Sequence, residues 1–159
     1  KKLLIVVDYQ KDFVDGALGF AGAEALDKPI AQRIAAYHAA GNDVVFTLDT
    51  HGADYAHTQE GRKLPVPHCL FGEAGWELYG STAAARGDGD CVFRKPAFPS
   101  LELAEWLKGR SYAQVVMVKA ALPEAEILVD ARLTASFDPA LHEKALDILE
   151  GLQVTVTNR

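Results

Sequence analysis

The sequence predicts a single domain of the α/β class, residues 1–159, in which helices cover both faces of a mainly parallel sheet. Short apolar runs rich in β-branched residues alternate with segments whose apolar residues recur at helical spacing. The first run, Lys2–Val7, is continuously apolar after its lysine, which is typical of a strand buried on both faces. The 159 residues, 49% of them hydrophobic, suffice for one sizeable core and are too few for two.

Six apolar runs are the predicted strands. The later runs resemble the first in being short and bounded by turn-forming or charged residues. The last alternates apolar and polar residues, which is typical of a strand at the edge of a sheet. In chain order the predicted strands are 2–7, 43–48, 90–94, 112–118, 126–130 and 153–157.

Capping residues mark the helices that separate these strands. Asp27, Ser100 and Asp138 are side chains of the kind that accept hydrogen bonds at a helix N-terminus, and each comes just before a segment of helical period. Residues 80–90 are small, polar and rich in glycine, so we predict a surface turn there. The predicted helices are 29–40, 73–79, 101–110 and 138–149.

Composition and charge exclude several kinds of partner. The net charge is −6 and the chain has no basic run, which argues against binding to nucleic acid or to an anionic membrane surface. No apolar run approaches the roughly 20 residues that span a bilayer, and the opening segment is too short for a signal peptide. Cys69 and Cys91 form no CxxC pair, which favours reduced thiols and a cytoplasmic location. A homo-oligomer is compatible with the sequence, which does not decide the oligomeric state.

Charged residues follow three of the predicted strands. Asp8 follows the first, Asp49 and His51 the second, and Lys95 the third. In open parallel sheets the ligand crevice lies at this carboxyl edge. Taken singly, each residue would be expected to cap a helix or to be solvated at the rim. Together, the three strand ends predict a functional site.

Asp49, His51 and His68 have the chemistry of a metal centre. Asp49 and His51 are two residues apart, so their side chains point the same way in an extended chain, and His68 can return over the loop. Two imidazoles and a carboxylate suit Zn²⁺, Fe²⁺ or Mn²⁺, with Glu60 as a further ligand, directly or through water. The alternative is that both histidines lie on the surface, as we expect for His57.

Asp8 and Lys95 suggest proton transfer. A carboxylate that faces an ammonium group can keep a nearby nucleophile deprotonated and move its proton. The alternative is a structural ion pair between two strand ends.

Four segments of the chain resemble the isochorismatase-like cysteine hydrolases, and among these the nicotinamidases (pyrazinamidases). The segments are VVDYQKDF, then DTHGADYAHTQEG with LPVPHC, then KPAFPS, and finally TASFDPALHEKAL. The resemblance covers nearly the whole chain, and the combination is more specific than any one motif. It implies a three-layer α/β/α fold and the hydrolysis of nicotinamide to nicotinate and ammonia through a cysteine thioester, a step of NAD salvage.

The resemblance also implies roles for individual residues. Asp8 matches the carboxylate of the catalytic triad, which accepts a proton, and Lys95 matches its lysine. The metal, Zn²⁺ in the first instance and otherwise Fe²⁺ or Mn²⁺, would hold the pyridine nitrogen of the substrate. Phe13 and Phe98 match positions that wall the substrate ring. The implied metal ligands are Asp49, His51 and His68, with Glu60 as an outer or fourth ligand.

The sequence departs from the family at the nucleophile. The family places a cysteine at the start of the helix after the fourth strand, and this chain has none there. Between the fourth and fifth predicted strands lie only about seven residues, whereas parallel neighbours need a crossover of roughly a dozen. We therefore predict that roughly 10–20 residues, including the nucleophile, are missing from the sequence near Val115 to Met117. The alternative is a real deletion, which would leave an inactive metal-binding protein.

Two other functions stay open at this point. An isochorismatase or an N-carbamoyl amide hydrolase of the same superfamily would generally lack the metal ligands. A catalytically inactive homologue would bind nicotinamide or nicotinate without turnover. The sequence decides neither the identity of the metal nor the preference between nicotinamide and close ring analogues.

Overall fold

Six parallel strands form the centre of the part of the molecule that the structure describes. The computed structural model describes residues 1–97, 99–115, 126–134, 138–151 and 155–159. The strands are β1 (Lys2–Val7), β2 (Asp43–Asp49), β3 (Cys91–Lys95), β4 (Gln114–Val115), β5 (Glu126–Asp130) and β6 (Thr155–Thr157). They form one sheet in the order β3-β2-β1-β4-β5-β6, and each neighbouring pair is parallel. The predicted sheet is confirmed, and β6 lies at its edge.

Helices cover both faces of this sheet. The α-helices are α1 (Lys11–Val14), α2 (Asp27–Ala39), α3 (Gln59–Lys63), α4 (Gly80–Ala85), α5 (Leu101–Lys108) and α6 (Pro139–Gly151). Successive side chains of β1 point to opposite faces. Leu4 therefore packs with Ile34 of α2 in one buried cluster, whereas Leu3 packs with Leu107 of α5 in the other. This α/β/α arrangement confirms the predicted fold class. Within the described ranges, no helix has the length and apolar character needed to cross a membrane.

Most predicted helices are observed with small shifts at their ends, but the predicted turn over residues 80–90 is wrong in its first half. That stretch begins with α4, and of the preceding predicted helix only the short 3₁₀ helix Ala74–Trp76 forms. Although α4 contains three alanines, which favour a helix, it is too short to be stable by itself and begins with the poorer helix formers Gly80, Ser81 and Thr82. Its stability therefore depends on a partner elsewhere in the chain.

Asp27 is that partner. The sequence places it at the N-cap of α2, yet it is the first residue of α2 and its side chain caps α4. Its carboxylate accepts hydrogen bonds of 2.7 Å from the Ser81 N–H and 2.8 Å from the Thr82 N–H. These N–H groups have no partner within their own helix. Gly80 adopts a φ of 48°, and a Cβ at this position would lie 2.5 Å from Asp27 Oδ2, so the close approach requires glycine.

The Asp27 contacts predict a pH-dependent loss of stability on mutation. Burial raises the pKa of Asp27, but the hydrogen bonds from Ser81 and Thr82 outweigh it, so its pKa lies below the usual value. We expect Asp27→Ala to lower the free energy of unfolding by about 1–2 kcal/mol at pH 7. Because the folded pKa is depressed, this contribution is complete above about pH 5 and is lost as the pH falls through the folded pKa.

Urea denaturation of wild type, Asp27→Ala and the exposed control Asp88→Ala at pH 7 and at lower pH measures this effect. The Asp27→Ala deficit should shrink in acid, while Asp88→Ala should match wild type throughout. A deficit that stays constant to the lowest pH at which the protein is folded would contradict the capping role.

The connection between β4 and β5 bears on the prediction of missing residues. The two strands are parallel neighbours, with Gln114 opposite Glu126 and Val115 opposite Ile127. The ten residues that join them, 116–125, lie outside the described residues. A parallel crossover usually contains a dozen residues or more. The prediction that residues are missing at this point stays a prediction.

Candidate active site

Three neighbouring strands bring Asp8, Asp49 and Lys95 together at the carboxyl edge of the sheet. β2 lies between β1 and β3, and Asp49 pairs in register with Lys95. Lys95 Nζ lies 2.6 Å from Asp8 Oδ2 and 3.8 Å from Asp49 Oδ1. Thr47 Oγ1 donates a hydrogen bond of 2.7 Å to the other carboxylate oxygen of Asp8. Since Lys95 is only 6% exposed, two carboxylates rather than water balance its charge.

The main chain at Asp8 is in the left-handed region, with a φ of 51°. Aspartate is among the few residues besides glycine that tolerate this conformation. Such conformations concentrate at functional sites, where the surrounding structure holds them in place. Here the left-handed residue follows β1 directly, and its carboxylate meets Lys95.

Asp49, His51, Glu60 and His68 form a cluster of four side chains, each offering a ligand atom within 4.8 Å of the others. Asp49 Oδ2 lies 3.0 Å from His51 Nε2 and 3.4 Å from His68 Nε2. Glu60 Oε1 lies 3.9 Å and 3.8 Å from the same two nitrogens. Asp49 and the histidines are buried, whereas Glu60 is partly exposed. The structure therefore brings together all four residues for which the sequence predicts metal binding.

The hydrogen bond at His68 Nδ1 leaves Nε2 of the same ring available to a cation. His68 Nδ1 lies 2.8 Å from the carbonyl oxygen of Val66, and because a carbonyl only accepts, Nδ1 carries the hydrogen. The neutral ring then directs the Nε2 lone pair towards the carboxylates of Asp49 and Glu60, an arrangement that needs a proton or a metal ion between them. Such a second hydrogen bond orients metal-binding histidines generally. The donor set thus fits Zn²⁺, Fe²⁺ or Mn²⁺.

The electrostatics of the cluster favour positive charge. Burial lowers the pKa of His68, but the hydrogen bond with Asp49 and the charges of Asp49 and Glu60 raise it more, so the pKa lies above its usual value. Burial raises the pKa of Asp49, yet the hydrogen bond with His68 and the charges of His51 and Lys95 lower it further than burial raises it. Carboxylates that stay ionised despite burial can stabilise a proton or a divalent cation in the cluster.

Tyr55 supports the two histidine rings. It is buried, and its ring centroid lies 4.8 Å from that of His51 and 5.1 Å from that of His68, both edge-to-face. Its hydroxyl donates a hydrogen bond of 2.8 Å to the carbonyl of Leu64. The rings therefore have a packed wall behind them. His57, in the same loop, is exposed as the sequence predicts.

Glu60 reaches the cluster from the second position of α3. Thr58 caps this helix, because its Oγ1 accepts a hydrogen bond of 2.9 Å from the Gly61 N–H. Helix α3 packs so closely on the preceding 3₁₀ helix Tyr55–His57 that a Cβ at Gly61 would lie 2.0 Å from the carbonyl oxygen of Tyr55. The position of Glu60 therefore depends on glycine at 61.

We expect Gly61→Ala to lower the free energy of unfolding by about 1–3 kcal/mol, because the backbone must move to admit the methyl group. Gly89→Ala is the matched control, since a Cβ there would meet no described atom within 4 Å. This control should be neutral, or more stable by about 0.4–1 kcal/mol. Urea denaturation of both variants measures the difference, and equal stability would contradict the close packing of α3.

The two phenylalanines for which the sequence predicts substrate contact have different outcomes. Phe13 lies edge-to-face with the ring of His68, with centroids 5.5 Å apart. Together with Asp8 it lines one end of a largely apolar cavity of about 270 Å³ among the described residues. Phe98 lies outside the described residues. Phe13 thus packs against a histidine of the metal cluster and shares a cavity with Asp8.

Sequence reasoning missed the two polar residues that follow Asp8 at alternate positions. Gln10 is fully buried, and its side chain bonds to the main chain of Asp49. Asp12 Oδ2 accepts a hydrogen bond of 2.7 Å from the N–H of Cys69, the residue after His68. The sequence signal that could have found them is their spacing, since Asp8, Gln10 and Asp12 are polar residues at alternate positions just after a buried strand.

Neither cysteine of the chain is a candidate for the nucleophile of this site. Cys69 is fully buried, and its burial, followed by the charges of Asp49 and Asp12, raises the pKa of its thiol far above the usual value. A thiol that stays protonated is a poor nucleophile. Cys91 is the first residue of β3, so it lies at the amino end of the strand, at the opposite edge of the sheet from Asp49 and Lys95. The sequence lacks the family's nucleophilic cysteine, and neither Cys69 nor Cys91 replaces it.

Comparisons with known proteins agree with the fold. A family model described as the isochorismatase domain matches residues 2–159. The nicotinamidase/pyrazinamidase PncA from Bacillus subtilis is 27% identical over 98% of each chain, with a TM-score of 0.86. The pyrazinamidase/nicotinamidase from Streptococcus mutans UA159 is 26% identical over 98% of this chain and 99% of that one, with a TM-score of 0.84. A comparison with curated protein sequences finds no match.

The fold is also that of more distant structures. The pyrazinamidase of Pyrococcus horikoshii, solved in complex with zinc, is 20% identical over 99% of each chain, with a TM-score of 0.79. The N-carbamoylsarcosine amidase from Thermoplasma acidophilum is 24% identical over 98% of this chain and 97% of that one, with a TM-score of 0.77.

The match over nearly the whole chain shows that the protein belongs to the isochorismatase family. This is a family of isochorismatase-like amide hydrolases, and the chain is similar in structure to nicotinamidases and pyrazinamidases. The family resemblance that the sequence motifs predict is confirmed.

Proposed function

We propose that the protein hydrolyses nicotinamide to nicotinate and ammonia, with the help of a divalent metal ion. One observation carries the proposal: the buried Lys95 ammonium lies between Asp8 and Asp49, and so joins a proton-transfer pair to a cluster of metal ligands. The likeness to the nicotinamidases of Bacillus subtilis and Streptococcus mutans supports the choice of substrate.

Asp49, His51 and His68, with Glu60 as an outer or fourth ligand, would hold the metal. Zn²⁺ is our first choice, because two imidazoles with carboxylates are its usual ligands, and Fe²⁺ and Mn²⁺ are the alternatives. A bound divalent cation would supply a Lewis acid that holds the pyridine nitrogen of nicotinamide. Phe13, beside His68, and Phe98 would wall the ring.

Asp8 and Lys95 would carry out the proton transfers. Asp8 accepts the proton of the attacking thiol and returns it to the leaving amine, so that the C–N bond breaks as ammonia departs. Lys95, whose Nζ lies 2.6 Å from Asp8 Oδ2, balances the charge of the Asp8 carboxylate before the proton arrives and after it has left. Water then cleaves the thioester, and nicotinate leaves the site.

The attacking thiol belongs, in this proposal, to residues that are missing from the sequence after Val115. The masses of the tryptic peptides that join β4 to β5, in protein from its natural source, test this part separately. Additional peptide mass of about 1–2 kDa between residues 111 and 132 agrees with a complete parallel crossover. Peptides 111–119 and 120–132 as they stand in the sequence would mean a real deletion.

Release of ammonia from nicotinamide tests the function itself. The protein from its natural source, loaded in turn with Zn²⁺, Mn²⁺ and Fe²⁺, should release ammonia and nicotinate in equal amounts, and a chelator should stop the reaction. The proposal fails if none of the three ions supports release of ammonia.

A second candidate is a homologue that binds metal and nicotinamide without turnover. The two cysteines favour it, because burial raises the pKa of the Cys69 thiol and Cys91 lies at the amino end of β3, away from Lys95. It predicts tryptic peptides 111–119 and 120–132 as in the sequence, saturable nicotinamide binding in a metal-loaded protein, and no ammonia. Amide hydrolysis that does not respond to metal would instead indicate another kind of isochorismatase-like hydrolase.

A further inference from the structure

Gln10 makes an unusual set of contacts for a residue outside the cluster of metal ligands. Its side chain is completely buried. Its Nε2 donates hydrogen bonds of 2.9 Å to the carbonyl of Asp49 and 2.8 Å to the carbonyl of Trp76, and its Oε1 accepts one of 2.8 Å from the Asp49 N–H. An N–H only donates and a carbonyl only accepts, so these partners settle the orientation of the amide.

The position of Asp49 in the sheet explains why it needs such a partner. The pairing of β1 with β2 ends at Val7 and Thr47, and the last main-chain bond between them runs from the Asp8 N–H to the Thr47 carbonyl, at 3.1 Å. Along a strand, alternate residues direct their N–H and C=O groups to the same side. Asp49, two residues after Thr47, therefore directs both groups towards the side where β1 has already ended.

The Gln10 amide occupies that side as a substitute for the missing strand. Its donor and acceptor pair with both main-chain groups of Asp49, as the backbone of a neighbouring residue would. On the opposite side, the Thr50 N–H donates a hydrogen bond of 2.9 Å to the Lys95 carbonyl of β3. The end of β2 is thus held on one side at Asp49 and on the other at Thr50, and the Asp49 carboxylate contacts both histidine Nε2 atoms.

We propose that Gln10 is a positioning residue for the metal centre, which fixes the main chain of Asp49 so that its carboxylate is directed at His51 and His68. This inference rests on the metal binding of the proposed function. Partners that orient metal ligands through hydrogen bonds commonly change metal affinity by about 10- to 100-fold when they are replaced. We therefore predict that replacing Gln10 lowers the affinity for the metal, although Gln10 itself does not touch the metal.

Calorimetric titration of Zn²⁺ into the metal-free protein tests the inference without any measurement of activity. Gln10→Met keeps the length of the side chain and removes the hydrogen bonds, and should raise the Kd for Zn²⁺ by about 10- to 100-fold. Gln10→Glu keeps an acceptor for the Asp49 N–H and loses the donor to its carbonyl. It provides a second variant if Gln10→Met does not fold, and its Kd should rise by about 10-fold.

Tyr9→Phe is the matched control. Tyr9 is the adjacent residue, it is buried, and its hydroxyl donates a hydrogen bond of 2.7 Å to the carbonyl of Ala23, away from the metal ligands. This variant also loses a buried hydrogen bond, so its thermal midpoint should fall, but its Kd for Zn²⁺ should stay that of wild type. The visible spectrum of the Co²⁺-loaded proteins should change with Gln10→Met and not with Tyr9→Phe.

The outcomes separate this inference from the proposed function. If wild type binds Zn²⁺ and the folded Gln10 variants bind it equally well, the positioning role is wrong and the metal centre stands. If Gln10→Met and Tyr9→Phe weaken binding by the same factor, Gln10 acts only through general stability, and the inference is again wrong. If wild type binds no Zn²⁺, Mn²⁺ or Fe²⁺, the proposed function fails and the inference fails with it.

Discussion

Asp49→Asn is expected to lower the metal affinity by on the order of 100-fold or more. Replacing a residue that only hydrogen-bonds to a metal ligand already lowers the affinity by about 10- to 100-fold. Asp49 Oδ2 is the atom nearest to both histidine Nε2 atoms, and the substitution removes its charge while keeping its size. Metal content after dialysis against a fixed free Zn²⁺ concentration measures the loss. Nicotinamide hydrolysis, where the wild type shows it, should fall with the metal content.

Asp54→Asn is the control for this experiment. It makes the same chemical change at an exposed position in the same loop, so its metal content should equal that of wild type. Full metal content in Asp49→Asn would remove Asp49 from the set of ligands. Loss of metal in both variants would point to damage of the loop as a whole.

Lys95→Met is expected to lower the free energy of unfolding of the metal-free protein by about 3 kcal/mol, the lower end of the range for breaking a buried ion pair. The lower end applies because Asp8 keeps 20% of its side chain exposed. The substitution leaves two carboxylates facing each other with no lysine between them. Urea denaturation in the presence of a chelator measures the effect, which does not depend on turnover.

Two further variants make this result specific. Lys11→Met breaks the exposed pair between Lys11 and Glu77 and should cost less than about 1 kcal/mol. Asp8→Asn added to Lys95→Met removes one of the two opposed carboxylates and should restore part of the lost stability, since asparagine also tolerates the left-handed conformation. If the two lysine variants lose equal stability, Lys95 is not the counter-ion of Asp8 and Asp49.

Much of the site could be predicted because it follows from local patterns. Apolar runs predict strands, and parallel strands bring their carboxyl ends to one edge. Asp8, Asp49 and Lys95 each come at the end of such a run, so their proximity follows once the three strands are known to be neighbours. The Asp-x-His spacing adds His51, because alternate side chains of an extended chain share a face.

The contributions of Gln10, Asp27 and Tyr55 could not be predicted in the same way. Gln10 and Asp27 act on partners far away in the sequence. Tyr55 packs against the rings of His51 and His68, whose positions depend on the folded loop. Gln10 bonds to Asp49 across 39 residues, and Asp27 caps a helix that begins more than 50 residues later. A local sequence pattern does not predict which distant N–H group lacks a hydrogen-bond partner.

The sequence by itself determined the α/β class, the strands, the family, and the residue types that can bind a metal and move a proton. These depend on periodicity and on chemistry that each residue carries with it. Only the tertiary structure decided that Lys95 lies between Asp8 and Asp49, that His68 directs its Nε2 at two carboxylates, and that Gln10 completes the end of β2. Those arrangements arise because buried polar groups must find partners, and packing alone decides which partners are within reach.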